Sequence, residues 1–563
     1  MDGFMPCPGR RPLAADGRSR KSYNIPPRVV QHIGEQVAEI HSQPAQRIFT
    51  LLSPHPPIIA AMNVEQNEQS HRLRRTKIIA TLGPATDDPE VLEDVIRAGA
   101  DVLRLNMSHG TVEEQAARAR MVRKISAGLG REVALLADLQ GPKIRIERFE
   151  NGSVELAAGD EFTLDAADTV TAGDRNRVGV SYPGLVNDVK FDDLLLLDDG
   201  LISMRVKSIA DGRIVCEVEN GGILKDRKGL NLKGGGLSLS GIAEHDLPHI
   251  IAAAELDADY LAVSFVSNAE DMNRARRLLR EAGSKASLIA KIERVEAIHN
   301  LEDICDASEA VLVARGDLGV EIGDEELPGL QKRIIQTALK HNRVVATATQ
   351  MMQSMVENPV PTRAEVLDVA NAVIDGTDAV MLSAETAVGK HPVKVIEAMN
   401  RICLGAERHT DREGDITQLN VRFQRIDQAI AMAAMFMATN VSIQAIIALT
   451  ESGSTAQWLS RVQSSVPIYA LSPNAASRRR MALFRNVNPA HHQPKGNNVE
   501  EVVEEALQVL WRLGAVTAGD RVILTMGDRM GDQGGTNTLR LIGVDREGGY
   551  DHQSELDFYR SGN

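Results

Sequence analysis

Eight apolar runs constrain this 563-residue chain more than any other feature, because each is too short for a helix and several close on a charged, hydroxylated or amide residue. In order they read KIIATLGP, VLRLNMSHG, ALLADLQGP, YLAVSFV, SLIAKIER, AVLVARGDL, VVATATQMM and AVMLSAETA. Stretches of helical periodicity lie between them, such as DDPEVLEDVIRAGA and EEQAARARMVRKISAGLG, with Gly99 and Gly128 as the expected stops. Strand and helix alternating in this way predict a parallel (β/α)8 TIM barrel, a fold that presents its chemistry at the C-terminal ends of its strands.

The rhythm breaks once. From 146 to 238 the sequence reads as short strands, with hairpin turn signals at Asp199-Gly200 and Asp211-Gly212, and predicts a small β domain inserted as a lid over the barrel mouth. The barrel is then expected over 71–145 and 239–410. Residues 411–563 follow as an α/β layer built on AIIALT, PIYALS, RVILTMG and TNTLRLIGV. Residues 1–70 are rich in proline and scattered arginine but lack the pattern of a secretory signal. They read as a disordered or untranslated extension, with Met62 as the expected natural start and VVQHIGEQVAEIH as a possible short amphipathic helix.

Bulk properties exclude several classes. A formal charge of −14 argues against a nucleic-acid partner. No apolar stretch is long enough to span a bilayer, so no membrane partner is expected. Cys7, Cys216, Cys305 and Cys403 are widely spaced, which suits a reducing, cytoplasmic compartment and offers no zinc pattern.

The run ends carry the chemistry. Glu293 and Asp317, at the ends of neighbouring strands, offer two hard oxygen ligands, which suits a Mg2+ ion (or Mn2+) that keeps waters and takes substrate oxygens. Lys291 lies two residues before Glu293 and therefore on the same face, placed to stabilise negative charge on a bound oxygen. Arg315-Gly316 brings backbone N–H groups close, Arg104, Asn106, Ser108 and His109 suit phosphoryl oxygens, and Thr349, Ser383 and Glu385 close the last two runs. Alone, KIER reads as a salt-bridged strand end and His109 as a capped loop histidine. Five strand ends with compatible groups on one face outweigh those readings. In the last domain, Thr450, Glu451, Ser452, Gly453, Ser454 and Thr455 lie between a strand and a helix, where they serve equally as a phosphate cradle or an ordinary helix cap.

From Arg72 to Val544 the chain resembles the pyruvate kinase family. The stretches that carry the likeness include TKIIATLGPAT, RLNMSHG, DLQGPKIR, KGLNLKGGGLS, AKIERVEA, ARGDLGVEI, TATQMM and DGTDAVMLSAETAVGKHP. The resemblance implies a catalytic barrel, a mobile lid, a C-terminal regulatory domain, a homotetramer, and phosphoenolpyruvate and ADP as substrates. It implies that Glu293 and Asp317 hold Mg2+, that Ala314, Arg315, Gly316 and Thr349 hold the substrate carboxylate, and that Lys291 and Arg104 bind the phosphoryl group. Pro84, Asn106, His109, Arg145 and Lys228 are then expected to face the nucleotide, and Thr349, Ser383 and Glu385 to protonate the enolate.

One departure from the family pattern is informative. Members that need potassium place it among an Asn, a Ser, an Asp and a carbonyl, here Asn106, Ser108, Asp138 and Leu139, with a glutamate nearby in a G-P-E-I-R stretch. This chain has Lys143 at that glutamate's position, which predicts that its ammonium replaces the ion and that K+ is not required. The Thr450–Thr455 loop matches the family's site for phosphorylated effectors, and Glu451 favours a sugar monophosphate or AMP-like ligand over a bisphosphate. Two alternatives stay open: another phosphoenolpyruvate or pyruvate barrel enzyme (a lyase or aldolase), and a catalytically silent paralogue.

Overall fold

A computed structural model describes residues 73–167, 172–410, 423, 425–496, 498–527 and 535–551. The readings of 1–70, Met62 and the possible helix within it lie outside the described residues.

All eight apolar runs supply barrel strands. These are β1 (Lys77–Thr81), β2 (Val102–Asn106) and β3 (Ala134–Asp138), then β12 (Tyr260–Val263), β13 (Ser287–Ile292), β14 (Ala310–Ala314), β15 (Val344–Ala348) and β16 (Ala379–Leu382). They close in the order β1-β16-β15-β14-β13-β12-β3-β2, with every pairing parallel. Their near-continuous hydrophobicity follows from burial on both faces. Ile78, Ala80, Leu103 and Leu105 pack outward with the helices, while Ile79, Val102, Leu136, Ala262 and Ile289 fill the interior.

That alternation positions the site. Two residues beyond each of those interior side chains stand Thr81, Arg104, Asp138, Ser264 and Lys291. The period of two that packs the core therefore turns these polar groups into the C-terminal mouth.

Helix ends mostly follow local signals. Thr111 and Glu114 form a capping box at the start of the helix Val112–Leu129. Gly99 ends the helix Pro89–Ala98 as expected, but Gly128 does not end the next one. That helix runs on to Leu129 and stops at Gly130, the residue that adopts φ 62° and whose N–H donates to the Ala127 and Ser126 carbonyls.

The lid comprises β4 (Ser153–Leu156), β5 (Glu161–Asp165), β6 (Arg177–Gly179), β7 (Leu194–Leu197), β8 (Ile202–Ala210), β9 (Arg213–Asn220), β10 (Gly222–Lys225) and β11 (Leu230–Leu232). They form a six-stranded sheet and a two-stranded one around their own apolar core. Both Asp-Gly signals are hairpin turns: Asp211 and Gly212, both at positive φ, link β8 to β9, and Asp198, Asp199 and Gly200, all three at positive φ, lie in the longer turn from β7 to β8.

The C-terminal sheet holds β17 (Ala445–Leu449), β18 (Ile468–Ser472), β19 (Val487–His491), β20 (Arg521–Met526) and β21 (Thr538–Gly543), ordered β19-β18-β17-β20-β21. The edge strand β19 was not legible, because Pro489 interrupts it in sequence and an edge tolerates that interruption. This domain seats against the N-terminal end of the barrel. One apolar cluster runs from Ile79 and Tyr260 to Met435, Met481 and Phe484, and the Tyr260 hydroxyl donates to the Arg480 carbonyl at 2.7 Å. Lys77 Nζ donates to the Val487 carbonyl, and Arg461 pairs with Asp378 across the same seam. No described helix is long and apolar enough to cross a membrane.

Candidate active site at the barrel mouth

Three acids and three cations meet at the C-terminal mouth. Lys291 Nζ lies 2.8 Å from Glu293 Oε1 and 3.4 Å from Asp138 Oδ1, and donates to Ser264 Oγ at 2.7 Å. Arg104 Nε donates to Asp138 Oδ2 at 2.6 Å, and its Nη1 to Thr81 Oγ1 at 3.0 Å. Lys143 Nζ pairs with Asp317 Oδ1 at 2.7 Å and reaches Asp199 of the lid at 4.0 Å.

Burial and pairing oppose each other at each of these groups. Burial pushes the Lys291 ammonium toward its neutral form, but Asp138 and Glu293 outweigh it and hold the pKa above the ordinary lysine value. Burial raises the Asp138 carboxyl, yet Lys291 and Arg104 bring it below the usual carboxylate range. Glu293 goes the other way. Burial leads, Asp317 adds like-charge repulsion, and Lys291 with the Phe265 N–H does not fully compensate, so its pKa is raised. Of Asp138 and Glu293, the latter is the one for which pairing does not offset burial.

Among the described residues no group of three or more His, Cys, Asp or Glu is gathered as a metal cage. Glu293 and Asp317, which repel each other, offer hard carboxylate oxygens but too few for a closed cage. That donor set fits Mg2+, which completes its shell with water and substrate.

Around these groups lie the binding elements. Ala314 ends β14, and the helix Arg315–Ile322 begins at once, so the N–H groups of its first turn face the mouth. Gly316 N–H donates to Thr349 Oγ1 at 2.8 Å, and that hydroxyl donates to the Ala348 carbonyl at 2.7 Å. The Arg315 side chain turns away from the mouth. It grips Asp368 with two nitrogens at 2.6 and 2.7 Å, and donates to the Thr349 and Ala348 carbonyls. Glu385 is buried and accepts from the N–H groups of Ser383 (2.7 Å) and Met352 (3.1 Å), tying the last two strand ends together.

The residues expected to face a nucleotide flank the lid root. Arg145 Nη1 donates to the Arg227 carbonyl at 2.9 Å, and Lys228 pairs with Asp198 at 2.6 Å. Pro84 opens an exposed turn after β1, and His109 is exposed beyond β2. Of the four residues read as a monovalent-cation site, Asp138 is taken by Arg104 and Lys291, and the Leu139 carbonyl accepts from Ser264 at 2.8 Å. Asn106 Oδ1 accepts the Ser108 N–H at 3.2 Å.

Lys143 stands elsewhere than the sequence suggested. Its ammonium sits on Asp317, and among the described residues its ion pairs include none with Asp138. Asp317 has no other cationic partner among the described residues, whereas Asp138 already has two. Glycines make room here: Gly141 takes φ 70° with a would-be Cβ 2.7 Å from that of Ser264, and a Cβ on Gly229 would lie 3.0 Å from Lys143 Cε.

Sequence reasoning missed Ser264, Thr81 and Asp368. The first two were legible in principle, since each closes an apolar run in the same parity as Lys291. Asp368 carried no signal, because it comes from the middle of a helix.

A (β/α)8 barrel with paired carboxylates, an ammonium and a guanidinium at its mouth, beneath an inserted β lid, gathers the charged groups that phosphoryl transfer calls for. Residues 73–396 match the family model "Pyruvate kinase, barrel domain", and 428–542 match "Pyruvate kinase, alpha/beta domain". "Pyruvate kinase II" of Salmonella typhimurium is 50% identical over 480 residues, 84% of this chain and 100% of that one. "Pyruvate kinase" of Haemophilus influenzae is 46% identical with the same coverage, and that of Geobacillus stearothermophilus 40% identical over 83% of this chain and 80% of its own. The chain belongs to the pyruvate kinase family, and its activity is that phosphotransferase activity. The matches favour neither a lyase nor a silent paralogue.

Proposed function

We propose that the chain transfers the phosphoryl group of phosphoenolpyruvate to ADP in a Mg2+-dependent, K+-independent reaction, with residue roles as follows. The substrate carboxylate is held by the N–H groups at Ala314, Arg315 and Gly316 and by the Thr349 hydroxyl. Arg104 and Lys291 take the phosphoryl oxygens. When bound at Glu293 and Asp317, Mg2+ supplies charge neutralisation to the carboxylate and the phosphoryl group. As the bond from phosphorus to the enol oxygen breaks and one to the terminal ADP oxygen forms, Lys291 stabilises the charge in flight and on the enolate. Asn106, His109, Arg145, Lys228 and Pro84 position the nucleotide. Thr349, with Ser383 and Glu385 behind it, delivers the proton to the enolate carbon and completes pyruvate.

The observation that carries this reading is the Lys291 ammonium, 2.8 Å from Glu293 and joined through Asp138 to Arg104. Potassium independence rests on Lys143, a permanent cation held at the same mouth, 2.7 Å from Asp317. Lys143 is proposed to supply the charge that Asn106, Ser108, Asp138 and Leu139 would otherwise draw from the ion. A homotetramer is supported by exposed apolar side chains around the helix Arg363–Ile374, Val360 and Leu367 each being 64% exposed. The Thr450–Thr455 loop, with Ser452 and Ser454 at its centre, is proposed to receive a phosphorylated effector, a sugar monophosphate or AMP-like ligand. The cytoplasm is the proposed location, in keeping with phosphoenolpyruvate and ADP as substrates. Pyruvate formation from phosphoenolpyruvate and ADP tests the reading: it is expected with Mg2+ and lost on chelation, and turnover without ADP would reject it.

A further inference from the structure

We infer that Arg294, next in sequence to Glu293, is a positioning residue for the nucleotide: it bolts the lid's return crossing to the barrel and so fixes the root on which Arg145 and Lys228 stand. The inference rests on the nucleotide-facing roles proposed for those two residues. The chain leaves β3 for the lid and comes back from β11 through residues 233–239. That returning strap faces two ways. The side chains of Leu237 and Leu239 pack into the lid's apolar core, and the Ser238 N–H donates to Asp188 of the lid at 2.9 Å. The carbonyls of Leu237 and Leu239 instead accept from Arg294.

The Arg294 side chain is only 2% exposed. Its Nη2 donates to the Leu237 carbonyl, and its Nη1 to the Leu239 carbonyl at 3.1 Å and to Ser267 Oγ at 2.7 Å. Its Nε lies 3.1 Å from Glu296 Oε2. One planar group thus serves the strap, the loop after β12 and the helix Val295–His299, a spread that the single nitrogen of an ammonium does not reproduce. Glu296 adds a second hold, since its Oε1 accepts the Gly236 N–H at 2.6 Å. Burying a cation is costly unless its donors are matched. Two of the matching acceptors belong to the strap, so displacing the strap leaves buried donors without partners.

The hold reaches the nucleotide side through the lid root. There the outgoing and returning segments form a short ladder: the Ile146 N–H donates to the Lys228 carbonyl and the Leu230 N–H to the Ile144 carbonyl, both at 3.0 Å, with Arg145 bridged to Gly229. Arg145 and Lys228 are therefore placed together, by whatever places the strap. Lys291 and Glu293 are not. Their partners Asp138, Ser264 and Phe265 belong to the barrel. Loosening the strap should reach ADP and spare the metal and phosphoenolpyruvate.

Arg294→Lys, which keeps the charge and loses the fork, tests the inference in the full chain. Hydrogen–deuterium exchange over 234–240 is expected to quicken by roughly tenfold or more. The KM for ADP is expected to rise by about threefold or more. The KM for phosphoenolpyruvate, and the Mn2+ affinity read by electron paramagnetic resonance with phosphoenolpyruvate present, should stay within about twofold. Should the substitution lower the melting temperature, Glu296→Ala carries the same expectations from a less buried position. Unchanged exchange, a KM for ADP that rises in neither variant, or ADP, phosphoenolpyruvate and Mn2+ all weakening together would each overturn the assignment. A parent that makes no pyruvate would reject the phosphoryl-transfer reading instead, and exchange over the strap would still decide whether Arg294 braces it.

Discussion

At the scale of single residues, the mouth is a balanced cluster: Asp138, Glu293 and Asp317 against Arg104, Lys291 and Lys143. Lys291 touches two of the three acids, so it is the cation the others are arranged around. Lys291→Met is expected to lower turnover by about 10²–10³, the cost of removing one preorganised charge-stabilising donor, measured as ATP formed from phosphoenolpyruvate and ADP. The proposed potassium independence turns on Lys143. Equal rates in potassium and tetramethylammonium salts at matched ionic strength are expected of the parent, and a requirement for potassium of Lys143→Glu. That Lys291 and Glu293 share a face was legible from a strand's period of two, whereas Asp317, read as a strand end, stands in the first turn of the helix Arg315–Ile322. The partner chosen by Lys143 was not legible, since it depends on which acid lacks a cation in three dimensions.

At the scale of elements, the turn after β15 is held against its own preference. Thr349 and Gln350 sit at φ 70° and 51°, where a β-branched residue such as Thr349 is strained by about 1–3 kcal/mol. Arg315 keeps them there through two backbone carbonyls, and Asp368 fixes Arg315 from the helix Arg363–Ile374. Asp368→Asn is expected to cut turnover about tenfold by letting the Thr349 hydroxyl drift, a loss that positioning alone accounts for. Steady-state kinetics checks it; an unchanged rate would contradict the brace.

The seam between lid and barrel offers a pH test. Glu321 is buried beside Asn231 of β11, accepts from the Val295 N–H at 3.1 Å, and is pushed by burial up to about 7, with Arg294 and Glu296 the charged groups nearby. Its folded pKa exceeds the unfolded one, so folding takes up a proton and stability falls as pH rises from about 4.5 to 7. Glu321→Gln is expected to remove that slope and to stabilise the protein at pH 8 by roughly 2–3 kcal/mol, read from denaturant melts at several pH values. No sequence pattern announces such a residue, since its burial arises from a contact between domains. Strand identities, by contrast, were legible throughout the barrel, and the Asp-Gly turns fixed the lid hairpins.

At the scale of the whole molecule, the C-terminal domain closes the end of the barrel opposite the chemistry, and β12 and β13 run from that seam to Ser264 and Lys291. The domain order was legible from the interruption and return of strand–helix alternation. Surfaces were not, because an apolar residue on a helix reads the same whether it meets a core or another subunit. Leu367→Glu is expected to dissociate the proposed tetramer, with sedimentation velocity as the readout; a parent that sediments as a monomer would contradict the assembly.

The central claim is that Glu293 and Asp317 grip one divalent ion beside Lys291. Titration of Mn2+ into the protein in the presence of phosphoenolpyruvate, followed by electron paramagnetic resonance, tests it most directly. One tight site in the parent, lost in both Glu293→Gln and Asp317→Asn, is the expected result. A site that survives both substitutions would contradict it.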